Sequence, residues 1–377
     1  MDKVTLRRKV LWSLRRQGFT VSGEKLLPPK EMDKETIRSM HSRAVVHSIA
    51  KVRDYYESKE DRLLRNIAWG NEVDPSAISP RLVEVQPDTE DELLFRYAKL
   101  HWSIPVSAGY GRRLRFLVKD TSNGRLIGLF GLADPVCALT GRDKWIGWTQ
   151  DQRDKHLSHV MDAFVLGSVP PYSYLLGGKL TAMLVASDEV RRAFARKYQG
   201  HVSVIRKRNF DGRLALVTTT SALGKSALYD RIRFGDRELF HSVGFTEGWG
   251  EFHFSDGVYK ALFDYASRYC DATRRHRLWG GDGFRNKREV VLKCLPKLGL
   301  PKDWLNHGVK REIFVIPLAK NTQEFLQGKR ERLHWYHQSA DELFRYFRNR
   351  WLLPRSLRDT RWSAWDPQVW RLFPHEN

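Results

Sequence analysis

The stretch GRRLRFLVKDTSNGRLIGLFGLADPV, from Gly111 to Val136, decides the fold class of this chain. Two apolar runs flank the tetrapeptide TSNG, and an Asn-Gly pair between such runs is typical of a tight turn joining antiparallel strands. The stretch therefore predicts a β-hairpin, which opens with Arg112 and Arg113 and closes at Asp134.

The residues around this hairpin continue in the same mixed manner. Further strands are predicted in RDKWIGW, in AFVLG, in RLALVTTTS and, as a final hairpin, in ELFHSVGFTEGWGEFHF. Helices are predicted in QDQRDKHLSHV, LLGGKLTAMLVAS and DEVRRAFARKY, and in ALGKSALYDRI after its glycine. This order predicts an α+β fold with a central mixed β-sheet domain over residues 106–256.

The regions on either side are predicted to be helical. Residues 1–105 hold basic amphipathic segments, with Asp33 placed to cap one helix, and form a basic N-terminal region. Residues 257–377 hold seven of the thirteen tryptophans, several of them among arginines, and form an Arg/Trp-rich C-terminal region. Aromatic side chains at helical spacing suit either a packed core or a surface on which bases stack.

The charge balance is the most informative property of the composition. The 377 residues include 65 Lys and Arg against 44 Asp and Glu, a net charge of +21. Because such a surplus repels itself unless a polyanion covers it, the balance predicts a nucleic-acid partner, DNA before RNA. A role in solubility, an acidic protein partner and an anionic membrane surface are the alternatives.

Targeting and metal signals are weak throughout the chain. No run of eighteen apolar residues and no apolar leader segment is present, so neither a membrane span nor a secretory signal is predicted. Three widely spaced cysteines, Cys137, Cys270 and Cys294, favour a reducing cytoplasm. The histidines are scattered, so no metal site is predicted, and no pattern identifies a cofactor.

Gly177, Gly178 and Lys179 form the first candidate turn for phosphate binding. They lead from strand-like into helix-like residues, and the start of a helix offers free backbone N–H groups to an anion. The turn resembles the coenzyme A pyrophosphate loop of GNAT acetyltransferases, which implies a GNAT-like sheet. Tyr174 and Lys179 stand where that family has other residue types.

Gly224, Lys225 and Ser226 form the second candidate turn. They also follow a predicted strand, and Lys225 and Ser226 are residue types that meet phosphate in nucleotide-binding loops. A P-loop needs a further glycine five residues earlier, and Thr219 stands there. An ordinary helix start is therefore the alternative.

Isolated charged residues complete the set of candidates. Those proposed to bind phosphate or nucleic acid are Arg112, Arg113, Arg142, Arg311, Arg348 and Arg350. Those proposed for acid–base chemistry are Asp134, Asp143, Tyr229 and His253. Turn formation and surface ion pairing are the alternatives for the two aspartates. No order of these residues specifies a reaction, and enzymatic activity stays open.

Several of these stretches together resemble the DruA family of Druantia anti-phage defence systems. They are WSIPVSAGYGRRLRFLVKD, LIGLFGLADPV, RDKWIGW, VMDAFVLGSVPPYSYLLGGKL, LVTTTSALGKSALYDRI, GFTEGWGEFHF and HGVKREIFVIPLAKN. The resemblance covers about residues 60 to 350 in the same order. It implies a bacterial cytoplasmic defence component that acts with a large helicase-like partner and other Druantia subunits, and it supplies no catalytic residues.

Three hypotheses of function follow from these observations. The first is a nucleic-acid-binding subunit of a defence complex, which the charge and the resemblance favour. The second is an enzyme, either a GNAT-like transferase or a nuclease-like or DNA-modifying activity. The third is an assembly scaffold whose tryptophan-rich surfaces bind partner subunits or a second copy of the chain, a homo-oligomer.

Overall fold

The computed structural model describes residues 1–106, 109, 111–202, 207, 209–255, 257–273, 283–284 and 286–374. Its strands are β1 Thr20–Ser22, β2 Lys25–Leu27, β3 Pro80–Glu84, β4 Arg113–Asp120, β5 Leu126–Ala133, β6 Val160–Ser168, β7 Leu216–Thr220, β8 Arg233–Phe234, β9 Arg237–Glu238, β10 His241–Phe245 and β11 Glu312–Pro317. Its α-helices are α1 Lys3–Arg16, α2 Lys34–Ala50, α3 Arg53–Tyr56, α4 Glu60–Leu64, α5 Glu90–Ala98, α6 Thr140–Ile146, α7 Gln150–His156, α8 Gly177–Leu184, α9 Asp188–Tyr198, α10 Val258–Tyr269, α11 Lys287–Lys297, α12 Thr322–Leu326, α13 Ala340–Phe347 and α14 Leu353–Arg358.

The predicted hairpin is confirmed. Strands β4 and β5 pair antiparallel, and Gly124 in the turn between them has a positive φ of 76° that suits glycine. The carboxylate of Asp120 accepts hydrogen bonds from the amides of Ser79 and Ser122 and so holds the turn. Every residue of β5 is buried, which places the hairpin at the centre of the sheet.

The sheet has seven strands in the order β10-β11-β7-β6-β5-β4-β3. All neighbouring pairs are antiparallel except β6 and β7, which pair in parallel between Val160–Asp162 and Leu216–Thr218. Beyond Asp162, β6 stays paired with β5 while its ladder with β7 ends. A central mixed sheet with helices before, between and after its strands confirms the α+β class, and the GNAT-like detail stays a prediction.

Three local predictions are wrong. RDKWIGW forms helix α6, which ends at Gly147 in the left-handed conformation. ALGKSALYDRI forms no α-helix, only the short 3-10 turn Tyr229–Arg231. ELFHSVGFTEGWGEFHF is not a hairpin, because β10 pairs with the distant strand β11, and Glu238 at its start belongs to β9, which pairs with β8. In each case a contact remote in sequence overrides the local pattern.

Hydrophobic cores combine segments that lie far apart in the chain. One core joins α1 and α2 to α10, α11 and the residues that follow, including Leu6, Leu262 and Trp304. Residues 1–51, 257–273, 283–284 and 286–309 surround this core and are called the helical lobe here. The sheet takes β3 from before residue 106 and β11 from after residue 256. The division into regions 1–105, 106–256 and 257–377 stays a prediction.

Candidate nucleic-acid interface

Arg112 and Asp134 meet at the open end of the central hairpin. The Arg112 Nε donates to Asp134 Oδ1 at 2.7 Å, and the Arg112 backbone amide donates to Oδ2 at 3.0 Å. Arg112 also donates to the carbonyl oxygen of Ser158 at 2.7 Å and lies 4.6 Å from the ring centroid of Phe210. The side chain of Arg112 is only 10% exposed. Its contacts connect the hairpin with the segments that contain Ser158 and Phe210.

Arg142 and Asp143 form a second pair, at the start of α6. Arg142 is fully buried, and its guanidinium contacts Asp143 Oδ1 at 2.7 Å. It also donates to the carbonyl oxygens of Val136 and Cys137, while Asp143 Oδ2 accepts from the Leu139 amide. All of these contacts hold the loop between β5 and α6 in place, and this loop is the reason that RDKWIGW is helical.

The first glycine turn begins helix α8, as the sequence predicts. A Cβ on Gly177 would lie 2.7 Å from the carbonyl oxygen of Tyr172, so close backbone packing requires glycine there. Gly178 is less restricted, because a Cβ there would lie 3.2 Å from the side chain of Leu228. Lys179 follows in the first turn, and only 8% of it is exposed.

The ammonium of Lys179 has unusual surroundings. Among the described residues its Nζ has no hydrogen-bond partner, and it lies 4.9 Å from the ring centroid of Trp351. The guanidinium of Arg350 lies 5.7 Å from the same ring. Burial first, and then the charges of Arg231 and Arg350, lower the pKa of Lys179. Lys179, Arg231 and Arg350 are called the cation cluster here; sequence reasoning selected the first and third and missed Arg231.

In the second glycine turn, the Glu312 carboxylate of the same chain takes the place that a phosphate would have. The Ser226 amide donates to Glu312 Oε2 at 2.9 Å, and the carbonyl oxygen of Gly224 accepts from the Glu312 amide at 3.2 Å. Glu312 is buried on β11 and also accepts from Ser242 at 2.7 Å. Lys225 is exposed. A carboxylate of the same chain thus contacts the N–H group that the sequence offered to a phosphate.

The remaining candidate arginines lie apart from one another. Arg113 is exposed and donates to the carbonyl oxygen of Gly109 at 3.0 Å. Arg348 donates to the carbonyl oxygen of Ser76 at 2.8 Å. Arg311 lies on the border of the helical lobe, where burial lowers its pKa.

No hydrogen bond joins any two of the four acid–base candidates within the described ranges. Tyr229 stacks on Phe240 with 5.0 Å between ring centroids, and burial raises the pKa of its hydroxyl. His253 is fully buried, its Nε2 lies 2.7 Å from the carbonyl oxygen of Trp304, and burial lowers its pKa to about 4. Asp134 and Asp143 are engaged by arginines, so the four do not assemble a shared acid–base site.

Three buried histidines lie together beside Arg311. Arg311 Nη2 and His41 Nε2 are 2.9 Å apart, so the imidazole accepts and is neutral. Burial and the charge of Arg311 lower the pKa of His41 to about 3, and burial, with the neighbouring His253 and Arg311, lowers the pKa of His307 to about 3. The Phe252 ring separates these two histidines, 4.3 Å from His41 and 4.5 Å from His307. His253, 5.6 Å from His307, completes the group.

Sequence reasoning did not single out Trp12, on the outer face of α1. Trp12 is 55% exposed, with the guanidinium of Arg16 4.4 Å and that of Arg43 5.5 Å from its ring centroid. The sequence does place Trp12 on the outer face. It lies two residues from both Val10 and Leu14, which are buried, and so about 200° around the helix from them. An exposed tryptophan between two arginines is a surface on which a base can stack.

The rest of α1 supports this surface. Its basic residues are Lys3, Arg7, Arg8, Lys9, Arg15 and Arg16, and no acidic residue lies within the helix. Asp2 caps the N-terminus by accepting from the amides of Val4 and Thr5. Trp12, Arg16, Arg43 and the cations of α1 are called the basic platform here.

The surplus charge of the chain is concentrated in the helical lobe. Its described residues, 1–51, 257–273, 283–284 and 286–309, contain 19 Lys and Arg against 9 Asp and Glu, so they hold 10 of the 21 net positive charges of the chain. In contrast, residues 52–105 contain 7 Lys and Arg against 11 Asp and Glu. The positive charge therefore has a preferred location in the fold, as a surface for a polyanion requires.

Two further properties limit the classes of site. Within the described part of the chain, no three His, Cys, Asp or Glu side chains are grouped so that they can hold a metal ion. No helix in that part is long and apolar enough to cross a bilayer. Two depressions on the described surface are open to solvent, and one of them is lined by Glu342, Arg345, Tyr346, Asn349 and Arg350.

The fold and this surface define an α+β protein with a mixed seven-stranded sheet and a strongly basic helical lobe. Comparison with known proteins narrows the class. Residues 31–328 match the family described as Druantia protein DruA. The Druantia protein DruA of Escherichia coli (strain UMEA 4076-1) is 39% identical over 366 residues, which are 97% of this chain and 90% of that protein. No solved structure matches the chain.

The chain therefore belongs to the DruA family. The resemblance seen in the sequence is confirmed, and the chain is a component of a Druantia system, the anti-phage defence that the resemblance implies.

Proposed function

We propose that this protein is a nucleic-acid-binding subunit of a Druantia anti-phage defence complex and that it binds through the helical lobe. The observation that carries the proposal is the basic platform: an exposed Trp12 flanked by Arg16 and Arg43, on a helix with six basic residues and no acidic one. Lys and Arg side chains on such a surface release condensed counterions when they meet phosphates, which supplies affinity without sequence preference.

Trp12 adds a preference for unpaired bases. In a duplex the base faces are stacked on one another, whereas a single strand offers each face to an aromatic side chain. We therefore expect single-stranded DNA to bind more tightly than duplex DNA of the same length. A helicase-like partner, which the family resemblance implies, would separate strands and so generate this ligand. A cytoplasmic location and a homo-oligomeric state remain predictions.

The test is binding of labelled 30-residue single-stranded and duplex DNA to the full-length protein across a salt series, followed by fluorescence anisotropy. We expect log affinity to fall linearly with log salt, by about 0.7 for each single-strand phosphate contacted. The double variant Arg8→Gln/Arg15→Gln removes two exposed charges from the platform and should reduce this slope by about 1 to 1.5.

A matched control removes the same charge elsewhere. Lys329 and Arg330 are exposed and lie outside the helical lobe, and Lys329→Gln/Arg330→Gln should leave the slope unchanged. Absent binding or salt-independent binding would contradict nucleic-acid binding itself. Equal loss in both double variants would contradict the assignment to the helical lobe.

A further inference from the structure

The cation cluster lies outside the helical lobe that carries the basic platform, and nothing in the proposed function uses it. Lys179 belongs to the first turn of α8, Arg231 ends a 3-10 turn after β7, and Arg350 follows α13. None of the three has an ion-pair partner among the described residues. Three separate segments of the chain therefore bring positive charges together, and no carboxylate among the described residues forms an ion pair with any of them.

Such an arrangement is costly in an unliganded protein. A buried ammonium that has lost water and gained no acceptor is among the least favourable groups that a fold can contain. The face of Trp351 offsets part of this cost by a cation–π contact at 4.9 Å. The neighbouring charges of Arg231 and Arg350 add repulsion, which an anion between the three would convert into attraction.

The start of α8 supplies a second contribution of the same sign. The amides of Gly177 and Lys179 already donate to the carbonyl oxygens of Tyr172 and Leu176, both at 2.8 Å, so this contribution comes from the helix dipole, which favours negative charge at the start of a helix. Gly177 and Gly178 keep this turn free of side chains, and Lys179 is the third residue of the helix. Arg231 and Arg350 are exposed, so they can meet a ligand arriving from solvent.

We propose that the cation cluster binds a phosphate group, with the Lys179 ammonium as its buried contact and Arg231 and Arg350 closing over it from the surface. A phosphate brings one to two negative charges and three acceptor oxygens, which match three cationic donors. The group belongs either to a free pyrophosphate or nucleotide or to a terminal phosphate of a nucleic acid. The proposal does not depend on the helical lobe.

The experiment measures thermal unfolding and calorimetric binding of the full-length protein with sodium pyrophosphate, ATP, and an oligonucleotide with or without a 5′-phosphate. We expect pyrophosphate at about one hundred times its dissociation constant to raise the unfolding midpoint by about 3 °C. A preference for ATP identifies a free nucleotide. A gain in affinity from the 5′-phosphate alone identifies a nucleic-acid end.

The variant Lys179→Met distinguishes a phosphate-binding role of Lys179 from a purely structural one. Without ligand the variant should unfold at a higher temperature than the wild type, because it removes a buried unpaired charge and keeps an apolar stem of similar length. Its affinity for the preferred phosphate probe should fall by about tenfold or more. A lower midpoint without ligand together with wild-type affinity would show that Lys179 only packs against Trp351, and would overturn the proposal.

A second pair of variants keeps the test independent of the folding of Lys179→Met. Arg231→Gln/Arg350→Gln changes exposed side chains only and should weaken the same probe, whereas Arg345→Gln, an exposed residue of α13 paired with Asp341, should not. Failure of every phosphate probe to bind the wild type would also overturn the proposal. Loss of DNA binding in the platform variants, with pyrophosphate binding intact, would separate the two sites.

Discussion

The sheet and the helical lobe differ in how their basic side chains are buried and paired. In the sheet layer, buried Arg142 and nearly buried Arg112 each contact a carboxylate within 2.7 Å and donate to backbone carbonyl oxygens. In and beside the helical lobe, His41, His253 and His307 are buried and remain neutral, and the arginines of α1 are exposed, although one of them, Arg7, also donates to backbone carbonyl oxygens. The same residue type thus supports folding in one region and is available to a ligand in the other.

This difference gives a physical criterion for functional cations in a basic protein. An arginine whose donors are already satisfied by the fold contributes stability and little to binding, because a ligand would have to displace its partners. An arginine beside an exposed aromatic ring and without a nearby acid gains most when a polyanion arrives. The following variants would sharpen the contrast, or remove it.

The largest effect is expected for Arg142→Met, in the sheet layer. Removing one partner of a buried ion pair leaves Asp143 without its closest cation, which should lower the free energy of unfolding by about 3–5 kcal/mol. Urea unfolding measures this change. Arg153→Met, which removes the weaker 3.4 Å contact to the same carboxylate, is the control and should cost much less. Equal stability of Arg142→Met and wild type would show that the pair is not structural.

The next effect is acid sensitivity at the border of the helical lobe. The pKa of His307 and that of His41 are lowered to about 3, whereas an unfolded histidine titrates near 6.5. The stability that comes from keeping them neutral is therefore complete above about pH 6.5 and is lost as the pH falls toward 3. The free energy of unfolding should therefore be lower at pH 5 than at pH 7, by about 2 kcal/mol for each of these two histidines.

His307→Gln tests this directly by urea unfolding at pH 7, 6 and 5. The variant should flatten the pH dependence of the unfolding free energy, because its amide takes up no proton. His337→Gln, at an exposed position, should keep the wild-type slope. A wild-type protein that is equally stable at pH 5 and pH 7 would contradict the neutral, buried state of these rings.

Trp12→Ala should have a smaller effect, seen in binding and not in stability. Loss of one stacked base should weaken single-stranded DNA binding by about 1.5 kcal/mol, roughly tenfold. The unfolding free energy should stay within about 0.5 kcal/mol, because the side chain is largely exposed. Trp12→Phe, which keeps an aromatic face, should recover part of the affinity. Unchanged binding by Trp12→Ala would remove the stacking role.

The smallest effect is expected for Arg113→Gln. The side chain of Arg113 is exposed, and its hydrogen bond among the described residues goes to the carbonyl oxygen of Gly109, so its removal should change the unfolding free energy by less than about 0.5 kcal/mol. DNA affinity should also be close to that of the wild type, since this arginine lies on the sheet. A large loss of DNA binding would extend the interface to the central hairpin.

Local signals predicted the elements that local contacts stabilise. The Asn-Gly turn predicted the β4–β5 hairpin, and Asp33 caps α2 through the Thr36 amide, as expected. The start of α8 at the first glycine turn was also readable, because the change from extended to helical residues is sharp there. These features depend on neighbours a few residues away.

Features that depend on remote partners were not readable in the same way. Strand β10 pairs with β11 and not with the residues after it, and the last turn of α6 accepts hydrogen bonds from the side chains of Gln323 and Gln327, about 180 residues away. Arg231 lies near Lys179 only because the segment after β7 packs against the start of α8, where Leu228 lies beside Gly178. Sequence spacing carries no trace of such contacts, although it did place Lys179 and Arg350 among the candidates.

The position of β11 has a consequence for synthesis of the chain. It lies between β7 and β10, so β10 waits about seventy residues, and β7 about ninety residues, of further synthesis before it can complete its hydrogen bonds. At usual translation rates the wait for β7 is roughly 5 to 18 s. During that interval the nascent protein presents an open edge at β7, where another polypeptide can pair, so chaperone demand should peak before Glu312 emerges.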